Sequence, residues 1–155
     1  MIDIKDLSHS FGDNSVLKNI SFHVGEGEIL AIMGSSGGGK TTLLRCVSGL
    51  ITPTSGSVTV DGVNVQQEPE VARLRMGMGF QGAALFDYLN VEQNVLFGVR
   101  RHMRLSKKEE AALLKDTLSR VGLVGNESLF PSELSGGMRK RVGMARAIAQ
   151  NPKVL

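Results

Sequence analysis

The stretch Gly34-Ser35-Ser36-Gly37-Gly38-Gly39-Lys40-Thr41-Thr42 constrains this chain more than any other. An apolar run, Ile29-Leu30-Ala31-Ile32-Met33, comes just before it, and a helix-like run, Leu43-Leu44-Arg45-Cys46-Val47, comes just after. Strand, glycine loop and helix is the setting that a phosphate-binding loop needs. Gly34, Gly39, Lys40 and Thr41 meet its spacing, G-x-x-x-x-G-K-[ST]. Without Cβ atoms, the glycines let the backbone curl until several N–H groups converge on one spot. The start of the following helix adds unsatisfied donors and the positive end of a dipole. Lys40 is expected to reach the β- and γ-phosphates as a point charge, and the Thr41 hydroxyl to ligate Mg²⁺. The competing reading is an ordinary Gly/Ser turn before a helix. Agreement between the motif and both flanks favours the phosphate loop.

The 155 residues suffice for one domain with a real core, and 41% apolar with 21% charged content is that of a globular protein. The net charge of +3 is too small an excess to argue for nucleic acid. A single cysteine, Cys46, cannot form an internal disulfide, which points to a reducing compartment. One cysteine and three scattered histidines do not make a structural zinc site. Asp3, Lys5 and Asp6 make the start unlike a signal peptide. No apolar run approaches the roughly 18–20 residues of a membrane span, so a membrane role is expected to be peripheral, through a partner.

Residues 1–33 read as strands, with turn signals at Gly12-Asp13-Asn14 and Gly25-Glu26-Gly27. The run 29–33 is apolar at consecutive positions and is expected to be buried on both faces at the centre of a sheet. Phe11 falls in the turn after the first strand, where an aromatic either stacks on a flat base or packs the hairpin. His9 and His23 have no ligand spacing. The helix that starts at Lys40 is expected to stop at Gly49, residues 56–62 form a hairpin arm, and Pro69 opens a short helix. Met76–Gln81 is a second strand candidate, and Gln81 would sit at its C-terminal end, where parallel α/β folds bind ligands. A glutamine there can ligate Mg²⁺ or orient water.

From about residue 90 the pattern turns helical. Val91, Val95 and Val99 form one stripe. Arg100, Arg101, His102 and Arg104, extended by Lys107 and Lys108, read as a solvated basic face, the alternative being contact with an acidic partner or anionic lipid heads. Ser106 and Glu109 match a capping box. Ser135 is a natural N-cap for a helix running to Ala149, with Gly136 and Gly137 exposing N–H groups in its first turn. Arg139, Lys140 and Arg141 crowd that same turn and oppose its dipole, a conflict eased by an incoming anion.

A phosphate loop at 34–42, then Gln81, then Leu134-Ser135-Gly136-Gly137 resembles the motif order of ATP-binding-cassette ATPases over residues 2–155. Glu133–Arg141 and Phe80–Phe86 are similar to the lipid-transport branch, which serves the Mla, toluene-tolerance and mammalian-cell-entry systems. The resemblance implies an α/β P-loop NTPase, RecA-like core with an N-terminal antiparallel β subdomain and a helical signature subdomain, incomplete at the C-terminus. It assigns 1–33 and 55–66 to the β subdomain with the start of the core, and 34–50 to the Walker A loop and helix. It assigns 76–87 to a core strand and Q-loop, 88–149 to the helical subdomain, and 150–155 to the start of the Walker B strand.

The resemblance also implies roles. Phe11 would stack adenine. Gly34, Ser35, Ser36, Gly37, Gly38, Gly39, Lys40, Thr41 and Thr42 would hold ATP, with Thr41 and Gln81 on Mg²⁺. Ser135, Gly136 and Gly137 would bind the γ-phosphate held by the other subunit of a head-to-tail homodimer. Met138 replaces the usual signature glutamine. The Walker B aspartate, catalytic glutamate and switch histidine would lie beyond residue 155, so no catalytic base is assigned and little turnover is expected of these 155 residues alone. The implied partners are an integral-membrane permease and a periplasmic lipid-binding protein of the mammalian-cell-entry type, with the ATPase on the cytoplasmic face of the inner membrane. Two other readings stay open: a soluble relative acting on nucleic acid or ribosomes, and a nucleotide-binding module without turnover. The interval 43–133 has neither zinc ligands nor sustained heptads to favour the former.

Overall fold

Alternating apolar residues make the first twenty-odd positions a hairpin. Strand β1 (Ile2–Phe11) pairs antiparallel with β2 (Asn14–Val24), in register from Ile2 opposite Val24 to Phe11 opposite Asn14. On its other edge β1 pairs with β3 (Ser55–Val60), which turns at Asp61-Gly62 into β4 (Val63–Asn64). The sheet order is β2-β1-β3-β4. These positions come from a computed structural model that describes all of residues 1–155. The chain divides into two units, Met1–Met76 with Val154, and Gly77–Lys153 with Leu155.

In the first unit, helix α1 (Lys40–Val47) lays Leu43 and Cys46 against the inner face of the sheet, where Ile4, Leu7, Leu17, Val58 and Val60 are buried. Burial pushes the Cys46 thiol up, away from reactive thiolate. The short helix α2 (Pro69–Leu74) starts with Pro69 in its first turn, as its missing N–H predicts.

The second unit is helical. Helix α3 (Val91–His102) buries Val91, Val95 and Val99, each 1% exposed, as their spacing of four requires. Helix α4 (Lys107–Arg120) adds Leu114 and Leu118, and α5 (Gly136–Ile148) adds Val142 and Ala145, which pack into one core together with Ala149. The Ser106–Glu109 capping box forms. Hydrogen bonds from the Ser106 hydroxyl and N–H hold the Glu109 carboxyl below its ordinary range. Within the basic run, Arg100 is committed to Glu92 and Glu110 at 2.8 and 2.9 Å.

Two strand expectations fail. Residues 29–33 form no strand, and Ile29 and Met33 are 98% and 89% exposed. Residues 76–81 contribute one isolated parallel bridge, Met76 to Val154, with the Val154 N–H donating to the Arg75 carbonyl at 3.0 Å. The reason is non-local. A fully buried parallel strand needs a hydrogen-bonded neighbour on each edge and cover on both faces, and no segment of the chain pairs with 29–33 in a sheet. Phe11 is also corrected: it ends β1 rather than lying in the turn.

One buried polar side chain fixes the approach to α3. Asn94, fully buried, accepts from the Phe86 N–H at 2.9 Å and donates to the carbonyls of Phe86, Leu89 and Asn90 at 3.1, 2.9 and 3.1 Å. Replacing it with Leu removes the partner of the Phe86 N–H and of the Leu89 carbonyl, while the Phe86 and Asn90 carbonyls keep the Leu89 and residue-94 backbone N–H groups. Asn94→Leu should therefore lower unfolding stability by about 3 kcal/mol, read as a shift in the urea midpoint.

Candidate functional site

The glycine loop forms the start of α1 and leaves it uncapped. Gly39 is the N-cap at φ +82°, no side chain accepts from the first-turn N–H groups, and the first turn holds no acid. Within the loop the Gly38 N–H donates to the Ser35 carbonyl at 3.2 Å. Gly34 through Gly38 are exposed, whereas Gly39 is buried. A Cβ on Gly39 would lie 3.0 Å from the Leu17 side chain and 3.1 Å from the Val16 carbonyl, so β2 sets the loop's base. A Cβ on Gly37, at φ +80°, would meet nothing within 4 Å.

Lys40 folds back over the loop. Its Nζ donates to the carbonyls of Gly34 and Ser35 at 2.8 and 2.6 Å, and it has no carboxylate partner. Those bonds hold the ammonium on the loop's own backbone. Exposed Thr41 and half-buried Thr42 follow in the first turn. A free cation, unsatisfied N–H groups, a helix dipole and no local acid together make a site for an anion of several oxygens.

Phe11 is 51% exposed, so one part of its ring is open for stacking. Its other contact was not foreseen from sequence: the His9 ring meets it edge-on, centroids 4.5 Å apart at 82°. His9 is 8% exposed, and both of its ring nitrogens are buried without a partner. Its packing role could not be read from ligand spacing. His23, read as having no role, contacts Asp3 at 2.7 Å on the surface, which holds the Asp3 carboxyl below its ordinary range.

In the second unit, Gln81 and Gly82 occupy a turn that the Ala83 N–H closes onto the Phe80 carbonyl at 2.9 Å. The Gln81 side chain is exposed. The tip of α5 has the expected form: Ser135 is the N-cap, and its Oγ accepts from the Met138 N–H at 3.2 Å. Gly136 and Gly137 are exposed, and a Cβ on Gly137 would meet nothing. As at α1, the first turn carries no acid. Arg139 folds back beside the tip: its Nη1 donates to the Leu134 carbonyl at 2.6 Å, and its Nη2 would lie 3.9 Å from a Cβ on Gly136. Met138 packs against the core of this unit, which accounts for an apolar residue there. No group of three His, Cys, Asp or Glu side chains is placed to hold a metal, so any cation would rest on hydroxyl, amide and ligand oxygens.

The family model described as ABC transporter matches residues 17–155. The chain is 42% identical, over its whole length, to the glutamine transport ATP-binding protein GlnQ of Escherichia coli, covering 66% of that protein. It is also 42% identical over its whole length to the intermembrane phospholipid transport system ATP-binding protein MlaF of E. coli, covering 59%. A solved dimer of a bacterial ABC transporter cassette matches with a TM-score of 0.89 at 32% identity, over 98% of this chain and 71% of the other. The chain thus spans about two-thirds or less of the curated relatives it matches.

The two loop glycines make different demands. Gly37→Ala should cost about 1 kcal/mol, for the left-handed backbone alone. Gly39→Ala adds crowding against Val16 and Leu17 and should cost about 2–3 kcal/mol, both read from urea unfolding.

Proposed function

The chain belongs to the ABC transporter family, and on that premise we propose that it is the ATP-binding, ATP-hydrolysing subunit of a membrane transporter that moves phospholipid or another hydrophobic cargo. The observation that carries the nucleotide role is the α1 tip, uncapped and free of acids, with Lys40 held only by the carbonyls of its own loop. An arriving triphosphate exchanges those two weak acceptors for charged oxygens. The Gly37–Thr42 backbone N–H groups and the Lys40 ammonium then bind the phosphates, and Phe11 stacks the base.

The Thr41 hydroxyl and the Gln81 amide oxygen would hold Mg²⁺, which when bound neutralises charge on the phosphate oxygens. Ser135, Gly136 and Gly137 are proposed to grip the γ-phosphate bound to the opposite copy in a homodimer. That tip has the same two properties as α1, free N–H groups and no acid in its first turn. Closure of the dimer would then depend on γ-phosphate being present. The water-activating base would come from a part of the protein beyond these residues.

Residues 83–104 are proposed to face an integral-membrane permease on the cytoplasmic side of the inner membrane. Tyr88 and Phe97, 73% and 44% exposed, give that stretch an aromatic surface. No helix of the chain is long and apolar enough to cross a membrane itself. The phospholipid assignment, and with it a periplasmic lipid-binding partner, rests on the 80–86 and 133–141 segments and on the likeness to MlaF. Likeness to a glutamine transporter of equal identity leaves the cargo to experiment.

In the full-length subunit, Lys40→Ala should weaken ATP binding about tenfold or more by calorimetry and cut turnover about a hundredfold. Unchanged affinity and turnover would refute the phosphate role. For the cargo, ATP turnover of the reconstituted transporter should rise with a phospholipid-loaded partner protein and not with glutamine.

A further inference from the structure

The backbone just past Gln81 is held in an uncommon conformation. Ala83 and Ala84 are consecutive residues in the left-handed region, at φ +63° and +47°. Residues with a Cβ rarely adopt it, and consecutive pairs need a surrounding structure that imposes it. Three contacts, all within the second unit, impose it here. The Ala83 methyl group is buried at 3% exposure against α5. It can lie there because position 143 is glycine: a Cβ on Gly143 would come within 3.1 Å of the Ala83 Cβ and 3.2 Å of its Cα and carbonyl oxygen. The third contact is Arg146, one turn further along α5, whose Nη2 donates to the Ala83 carbonyl at 2.8 Å.

Arg146 is unusual in its own right. It is half-buried, it has no carboxylate partner, and its only protein acceptor is the Ala83 carbonyl. Its guanidinium lies 5.5 Å from the centroid of the Phe86 ring, a cation–π contact that grips the same loop three residues later. Burial lowers its pKa, as expected for a guanidinium paired with a dipole and a ring rather than a carboxylate. A half-buried cation without a counter-ion is costly, and its two contacts both restrain the 83–86 segment.

We propose that Arg146 is a positioning residue for Gln81: with Gly143 it latches the left-handed Ala83–Ala84 turn onto α5, so that the helix opening at Ser135 fixes where the Gln81 side chain stands. Gln81 lies two residues before the latched carbonyl, and the Phe80–Ala83 turn transmits its position. The helix offering N–H groups at one end therefore carries, two turns later, the clamp on the proposed Mg²⁺-binding amide. Movement of α5 on engaging a γ-phosphate would carry Gln81 with it. The latch rests on geometry alone, and its consequence for Mg²⁺ rests on the proposed nucleotide function.

The two parts are tested separately. Amide exchange on this chain without nucleotide reads the latch: Arg146→Met should speed exchange at Ala83 about tenfold, with α4 amides unchanged. In the full-length subunit, the Mg²⁺ concentration for half-maximal ATP turnover should rise about tenfold, while metal-free nucleotide affinity stays the same. Arg146→Lys, which keeps one donor and the charge, should restore part of both. Gly143→Ala pushes Ala83 away without touching Arg146 and should reproduce the Mg²⁺ shift, a second route if Arg146→Met folds poorly. Unchanged exchange at Ala83, or faster exchange with an unchanged Mg²⁺ requirement, would overturn the proposal. Absence of Mg²⁺-dependent turnover in the parent would overturn the ATPase reading instead, and the exchange measurement would still decide the latch.

Discussion

The N-terminal donors of every helix must find acceptors, and the longer helices of this chain meet that demand in two different ways. Helix α3 is closed by Asn90 and Gln93 in a reciprocal capping box with Glu92 in its first turn. Helix α4 is closed by Ser106 and Glu109, with Glu110 beside them. Both supply their own negative charge. Helix α5 has the Ser135 cap and no acid, and α1 has neither cap nor acid. The two helices that leave their dipole uncompensated are the two that begin with glycine-rich segments. An acid in either first turn would contribute a few tenths of a kcal/mol to about 1 kcal/mol of helix stability. Forgoing it at both tips, and crowding Lys40 or Arg139 there, fits sites completed by an anion from outside.

What could be read from sequence follows from the range of the interaction that decides each feature. Capping, the Pro69 start, the β1–β2 hairpin and the Val91–Val95–Val99 stripe are settled within about four residues of chain, and all form. The runs 29–33 and 76–81 carry a sound apolar signal, but a parallel strand exists only beside another, and that condition is not written in the run itself. Local pattern identified which residues want burial. It could not say whether a neighbour is present to bury them.

The site shows the same division. The helix starts at Gly39 and Ser135 are legible because glycine and serine serve there for backbone reasons that act locally. His9 was not, since an imidazole with no ligand spacing gives no hint that it lies edge-on to Phe11 with both nitrogens buried. Neither was the Ala83–Ala84 turn. Alanine signals helix, and nothing in its side chain announces a positive φ. The conformation is imposed by Gly143 and Arg146, some sixty positions away in sequence.

Gln81 stands out by contrast with its surroundings. Between Ala83 and Leu89 four backbone groups are tied to flanking helices: the Ala83 carbonyl by Arg146, the Phe86 N–H and carbonyl by Asn94, and the Leu89 carbonyl by Asn94 again. The Phe86 ring contacts both Arg146 and Phe97. The Gln81 side chain, just ahead of these anchored groups, is exposed and uncommitted. A flexible amide on a flexible loop would lose, on ordering, much of what one metal or water contact returns. A flexible amide on a fixed backbone loses only its own rotamers. Fixing the segment from both helices that flank it, through a buried asparagine on one and a half-buried arginine on the other, makes a single amide contact energetically useful.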